Sequence, residues 1–195
     1  MKEGFFDFMM EPSKESFLAS RKYIVEHEDY DPYSDDLDEL NLLLDQEKYK
    51  EASEFSALNL ILSPRAHLLK NYALDKLQNE QGAKAEHILA MRIMECIELT
   101  GDGSQASSYI VTRISDEKDM LLYLGEAMLS QALQSFENKY FDVITTQSGK
   151  TIYFDITDCY TRLPYIFEKK KSSESKPDTN QKKSESSKKN WWKFW

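Results

Sequence analysis

Asp155 and Asp158 flank the end of the last candidate strand. Two carboxylates so placed could do acid–base chemistry, one protonated and one ionised. Against that reading, Asp158 is positioned to cap the next helix and Asp155 alternates outward to solvent. Other reactive residues are sparse. His27, His67 and His87 make no i, i+4 pair with a helical Glu and lie at no metal-ligand spacing from a cysteine. Cys96 and Cys159 sit in apolar patterns, as buried free thiols do, and neither has a base beside it. Gly101-Asp102-Gly103 is followed by Ser104, Gln105 and Ala106, so it lacks the alternate acids of a calcium loop. A tight turn leaving a helix explains both glycines. The sequence therefore assigns no catalytic residue, no metal ligand and no cofactor.

A different chemistry closes the chain. From Glu168 onward nine Lys stand against four acids, a net of +5, and no apolar residue occurs before Trp191. Residues 1–167 hold 16 Lys and Arg against 30 acids, a net of −14, which with the tail makes the chain's −9. The spaced Lys, Ser, Glu and Pro177 give the tail too little apolar surface to fold alone, so a disordered tail is expected. It ends at Trp191, Trp192, Lys193, Phe194 and Trp195, just after Lys188 and Lys189. Each aromatic can bury about 150–250 Å². Each Lys near an anionic leaflet adds about 1 kcal/mol. These seven residues are expected to form a docking device for an anionic membrane surface or for a pocket on a protein partner; a solubilising tail that docks on neither is the alternative.

The acidic body argues against nucleic acid as a partner, because phosphate binding needs a basic face. With 41% hydrophobic residues, it has the composition of a globular protein. No window approaches the roughly 18–20 apolar residues of a spanning helix. The N-terminus, interrupted at Asp7, lacks a signal-peptide core. A cytoplasmic location, peripheral on the inner membrane face through the tail, follows as the expectation.

The elements that must position these residues begin with helices. Ser13 caps a helix whose apolar side holds Phe17, Leu18, Ile24 and Val25. Ser34 is expected to cap a second, with Leu37, Leu40, Leu43 and Leu44 inward. Ahead of both, the segment Phe5–Met10 either packs on the body or stays free to bind elsewhere. A shift of 33 then lays Leu44 on Leu77, Ala52 on Ala85, Phe55 on Ile88 and Leu58 on Met91. That period, Tyr49-Lys50-Glu51-Ala52 and the later Pro64 resemble the tetratricopeptide repeat. The resemblance implies antiparallel helical hairpins with Ala52 and Ala85 buried at close crossings. A plain helical bundle is the alternative.

After Gly101 the period changes. Ser108–Ile114 reads as a strand, and Ser115-Asp116-Glu117 caps a helix with Leu121, Leu122 and Leu124 inward. Leu129–Phe136 has a pattern that suits helix or strand; the turn expected at Asn138-Lys139 favours a strand, which with Phe141–Thr145 and Thr151–Ile156 makes an antiparallel meander, with Ile152, Phe154 and Ile156 on one face. Asp158–Phe167 reads as a short helix broken by Pro164. The helical front, Gly-Asp-Gly-Ser at 101–104, Tyr109-Ile110-Val111 and Tyr-Phe-Asp-Ile at 153–156 together resemble a bacterial family of unknown function, widespread in the Bacteroidetes. The resemblance covers roughly residues 20–160. It implies the fold and a bacterial origin, and no activity.

The expected fold is therefore α+β: tetratricopeptide-like hairpins, a small antiparallel sheet with an inserted helix, and the tail. The expected division is an apolar segment at 1–11, helices at 12–100, the α+β region at 101–167 and the tail at 168–195. The expected function is a non-enzymatic adaptor whose helical groove takes a protein or peptide. The alternative is an enzyme with a site between the helices and the sheet, near Asp155 and Asp158.

Overall fold

Serine chemistry starts the first long helix. The computed structural model describes residues 4–174. In α2 (Lys14–Val25), Ser13 accepts from the Ser16 amide at 3.1 Å, and Ser16 Oγ accepts from the Ser13 amide at 3.2 Å. The reciprocal pair satisfies two donors that a helix start leaves open. Phe17 and Ile24 are buried on the expected face. Before it, α1 (Asp7–Met10) carries Phe8 into the same core together with Phe5, so the N-terminal aromatics pack on the body.

Two helical hairpins follow: α3 (Asp36–Asp45) with α4 (Tyr49–Glu54), and α5 (Pro64–Lys76) with α6 (Glu80–Glu98). The same turn joins each pair. Glu47 and Gln78 both adopt positive φ, 56° and 59°. Glu47 N–H donates to Leu44 and Lys48 N–H to Leu43; Gln78 N–H donates to Asp75 and Asn79 N–H to Leu74. The shift between the turns is 31 residues, which corrects the expected 33. Ala52 and Ala83 each stand fourth in their helix and are buried, whereas Ala85 is exposed. The 33-residue echo also put weight on Ile88 and Met91, which face outward. Turn geometry sets the register, and neither turn carries the glycine that would reveal it.

Several expected caps are differently arranged. Ser34 does not cap α3; Asp35 holds that place, and Ser34 Oγ donates instead to Asp36 at 2.6 Å. Pro64 opens α5, preceded by Ser63 as its cap.

The sheet runs β1-β4-β3-β2. Its strands are β1 (Tyr109–Ile110), β2 (Met128–Phe136), β3 (Lys139–Thr146) and β4 (Thr151–Asp155). The last three form the antiparallel meander; β1, only two residues long, joins β4 in parallel, so the sheet is mixed. Gly103 (φ +77°) makes the preceding turn, and its carbonyl accepts from Tyr153 N–H. Ile152, Phe154 and Ile156 are buried.

The inserted helix α7 (Ser115–Tyr123) turns an unexpected side inward. Leu122 is exposed, while Met120, Leu121 and three acids, Asp116, Glu117 and Asp119, are buried. The final helix α8 (Thr157–Glu174) runs on through Pro164 and includes residues assigned to the tail. A proline inside a helix removes one hydrogen bond and crowds the carbonyl four residues back. Strong helix formers from Glu168 to Lys171 favour continuation beyond it. The chain divides inside α8, after Leu163, into two units. Among the described residues no helix is long and apolar enough to cross a membrane.

Candidate functional site

The buried acids of α7 define the polar centre of the first unit. The start of the helix brings them in. Asp116 Oδ2 reaches back to accept from the Thr112 and Arg113 amides at 3.2 and 2.8 Å, which folds the side chain under its own turn. Arg113 extends the other way and clasps the segment before α3, donating to Ser34 Oγ and Ser34 O, both at 2.8 Å. Asp119 is held by Arg65 of α5, whose Nε donates at 2.7 Å.

Glu117 lies between α7 and the sheet. Asp142 of β3 shares its face with Ile144, and Ile144 stands opposite Gln131 of β2. Gln131 Nε2 donates to Asp142 Oδ2 at 2.7 Å and to Glu117 Oε2 at 3.3 Å. Glu117 and Asp142 thus meet under one amide. Burial, then the Asp142 charge and hydrogen bond, push the Glu117 carboxyl up to about 10. Burial, then the Asp119 charge, raise Asp116 to about 7 against its two amide bonds. Glu117 Oε1 and Asp116 Oδ1 accept no hydrogen bond among the described residues. Burial and the neighbouring Asp142 thus favour the protonated form of Glu117 at neutral pH.

Two tyrosines from the segment between α2 and α3 close over this centre. Tyr30 is buried, with its hydroxyl donating to Thr112 O at 2.7 Å and lying 3.4 Å from Cys159 Sγ. Tyr33 is half-buried; burial, then Cys159, Asp142 and Glu117, raise its phenol above the ordinary range. Burial pushes the Cys159 thiol up to about 12, so it stays protonated. Arg162 of α8 anchors the same segment through the carbonyls of Tyr30 and His27, at 2.9 and 3.1 Å.

The expected carboxylate pair is dispersed. Asp155 is buried, not outward: its Oδ1 accepts from Thr157 N–H and Oγ1 at 3.0 and 2.6 Å, and Lys139 reaches Oδ2 at 3.0 Å. Burial works to raise its pKa, but the Thr157 and Lys139 bonds outweigh it and hold the carboxyl below its usual range. Asp155 performs the capping expected of Asp158. Asp158 instead pairs with Arg21 Nη1 at 2.5 Å, while Arg21 also donates to Val111 O. Both cysteines are free and buried, as expected. His67 is buried against Glu86 at 2.6 Å and Ile61 O at 3.0 Å. No group of three or more His, Cys, Asp or Glu among the described residues is placed to hold a metal. Lys188, Lys189, Trp191, Trp192, Lys193, Phe194 and Trp195 lie outside the described residues.

Sequence reasoning missed Asp116, Glu117 and Asp142. Ser115-Asp116-Glu117 has the form of any solvated helix start. The one available signal was Asp142, which shares strand parity with Ile144 and so belongs to the inward face. No family model matches the chain, and no curated protein or solved structure matches it.

Proposed function

We propose that the protein is a non-enzymatic adaptor, in which tetratricopeptide-like hairpins take a protein or peptide and the Lys- and Trp-rich tail docks the assembly on an anionic membrane face. One observation carries the first half. On α5, Leu68 and Tyr72 stand one turn apart with 37% and 47% of their surface exposed. Tyr49 of α4 meets the Tyr72 ring edge-on at 6.3 Å, and Lys76 lies over it at 5.1 Å. Neighbouring hairpins therefore present an aromatic and apolar surface with a cation at its edge, the composition that protein interfaces favour. The recurrence of the turn at 31 residues supports a repeated helical hairpin, three residues short of the 34-residue tetratricopeptide period. The likeness to the bacterial family adds a fold to this proposal and no chemistry.

The test has two arms. A pull-down with the full chain is repeated with Leu68→Glu and Tyr72→Glu, each checked by circular dichroism. Partners retained by both folded variants would remove the hairpin surface. Co-sedimentation with anionic vesicles is compared for the full chain and a chain ended after Glu174. Binding should need the tail, weaken with salt and vanish on neutral vesicles. Equal sedimentation of the two chains would remove the membrane arm.

A second reading, an enzyme, has the neutral Glu117 beside Asp142 in its favour, a pairing that suits proton transfer. It requires the Tyr30–Ser34 segment to lift. Slow amide exchange there, at the rate of global unfolding, would sink it.

A further inference from the structure

Strand β2 ends the sheet, and its outer edge pairs with no strand among the described residues. Every residue from Leu129 to Phe136 is exposed. Leu133 and Phe136 leave 52% and 54% of their surface open. Such an edge is a template for another strand, and proteins protect it with charge, proline, shortness or a cover. β2 has none of these. It is nine residues long, with no Pro and no charged residue, in a chain of which 30% is charged. A register shift between Met128 and Ser130 bends only its first end.

The geometry says what fits. Glu137 and Asn138, both at positive φ, form the two-residue turn that closes the Phe136–Lys139 pair. In such a hairpin the closing pair is hydrogen-bonded, and bonded and non-bonded pairs then alternate. Phe136, Gln134, Ala132 and Ser130 thus spend their amides and carbonyls on β3. Ser135, Leu133 and Gln131 point theirs outward. This outward set is symmetric about Leu133. A two-fold axis there pairs Leu133 with Leu133 of a second copy and Gln131 with Ser135 of that copy. All three outward residues of the straight stretch are then satisfied on both strands, with six hydrogen bonds expected from the alternation. The same axis brings Phe136 beside Ala132 of the other copy, a diagonal neighbour on one face. Charge selects the same occupant. Residues 1–167 carry −14, so two copies repel over most of their surface; a strip without charge is where they can meet.

We infer that β2 is the seam of a homodimer, pairing antiparallel with β2 of a second copy about Leu133 to make one eight-stranded sheet.

Light scattering of the full chain across concentrations should give the dimer mass. Leu133→Lys, which sets two cations face to face only in the dimer, should give the monomer mass with an unchanged circular-dichroism spectrum. The register has its own readout. Leu133→Cys should form an intermolecular disulfide under mild oxidation, because bonded pairs sit about 5.5 Å apart at Cα, within disulfide reach. Ser135→Cys, opposite Gln131, should not. A monomer at every concentration, a Leu133→Lys dimer, or equal cross-linking of the two cysteine variants would overturn the proposal. Should Leu133→Lys fail to fold, the cysteine pair decides alone.

Discussion

Replacing Glu117 with Gln should stabilise the protein at neutral pH, although it alters a fully buried polar residue. The carboxyl moves from an ordinary 4.5 to about 10 on folding, chiefly through burial. The folded state keeps a proton that the unfolded chain gives up. The Glu117 contribution is thus fully present below about pH 4.5 and is lost as pH rises towards 10. One pH unit in that window is worth about 1.4 kcal/mol, so by pH 7 roughly 3 kcal/mol has gone. Gln carries no such linkage. Its amide can donate to Asp142 while its carbonyl accepts from Gln131, which preserves both contacts. Urea denaturation from pH 5 to pH 9 should show the Glu117→Gln curve lying above the parent's at pH 7 by about 2–3 kcal/mol. The gap should widen with pH. Asp116 titrates in both proteins and cancels in the difference. Parallel curves would refute a buried neutral acid at this position.

Ala83→Leu should destabilise by about 1–3 kcal/mol through overpacking at the hairpin crossing, while exposed Ala85→Leu leaves the thermal melt almost unchanged. Equal melts would remove the 31-residue register. Gly103→Ala should cost at least about 1–2 kcal/mol, because φ is +77° and the new Cβ would press on the Tyr109 ring at 2.8 Å; a melting curve unaltered by the change would contradict that geometry. Ser13→Ala should lose about 1 kcal/mol with the α2 cap, measured by urea denaturation, and no loss would mean that the Ser16 bond carries the helix start alone.

Where local chemistry decides, the fold was legible before any coordinates. The hydroxyl of Ser13 can reach only its own helix start. The alternation of Ile152, Phe154 and Ile156 admits one inward face, and the strand at 129–136 follows from the turn after it. Positions set by the tertiary fold stayed hidden. Glu47 and Gln78 turn left-handed without glycine, so the hairpin register slipped by two residues. Two residues of β1 pair in parallel with a strand more than forty positions away, beyond any periodic pattern. The candidate site was the least legible part. Asp119 meets Arg65 of α5, and Glu117 and Asp142 meet under Gln131 of β2, and no spacing along the chain announces either meeting.

The arginine clasp on residues 27–34 also bears on how the protein is made. Arg162 holds the carbonyls of His27 and Tyr30 from more than 130 positions downstream, and Arg21 waits as long for Asp158. A ribosome delivers the α2 end first. For most of translation that end has neither partner, and the core that Phe8, Phe17 and Ile24 share with Ile144, Ile152 and Phe154 is incomplete. The helical hairpins, built from near neighbours, can form while the chain is still emerging. The N-terminal aromatics must wait. The hairpins are therefore in place before the α2 end, which is completed only when α8 brings Arg162 to it.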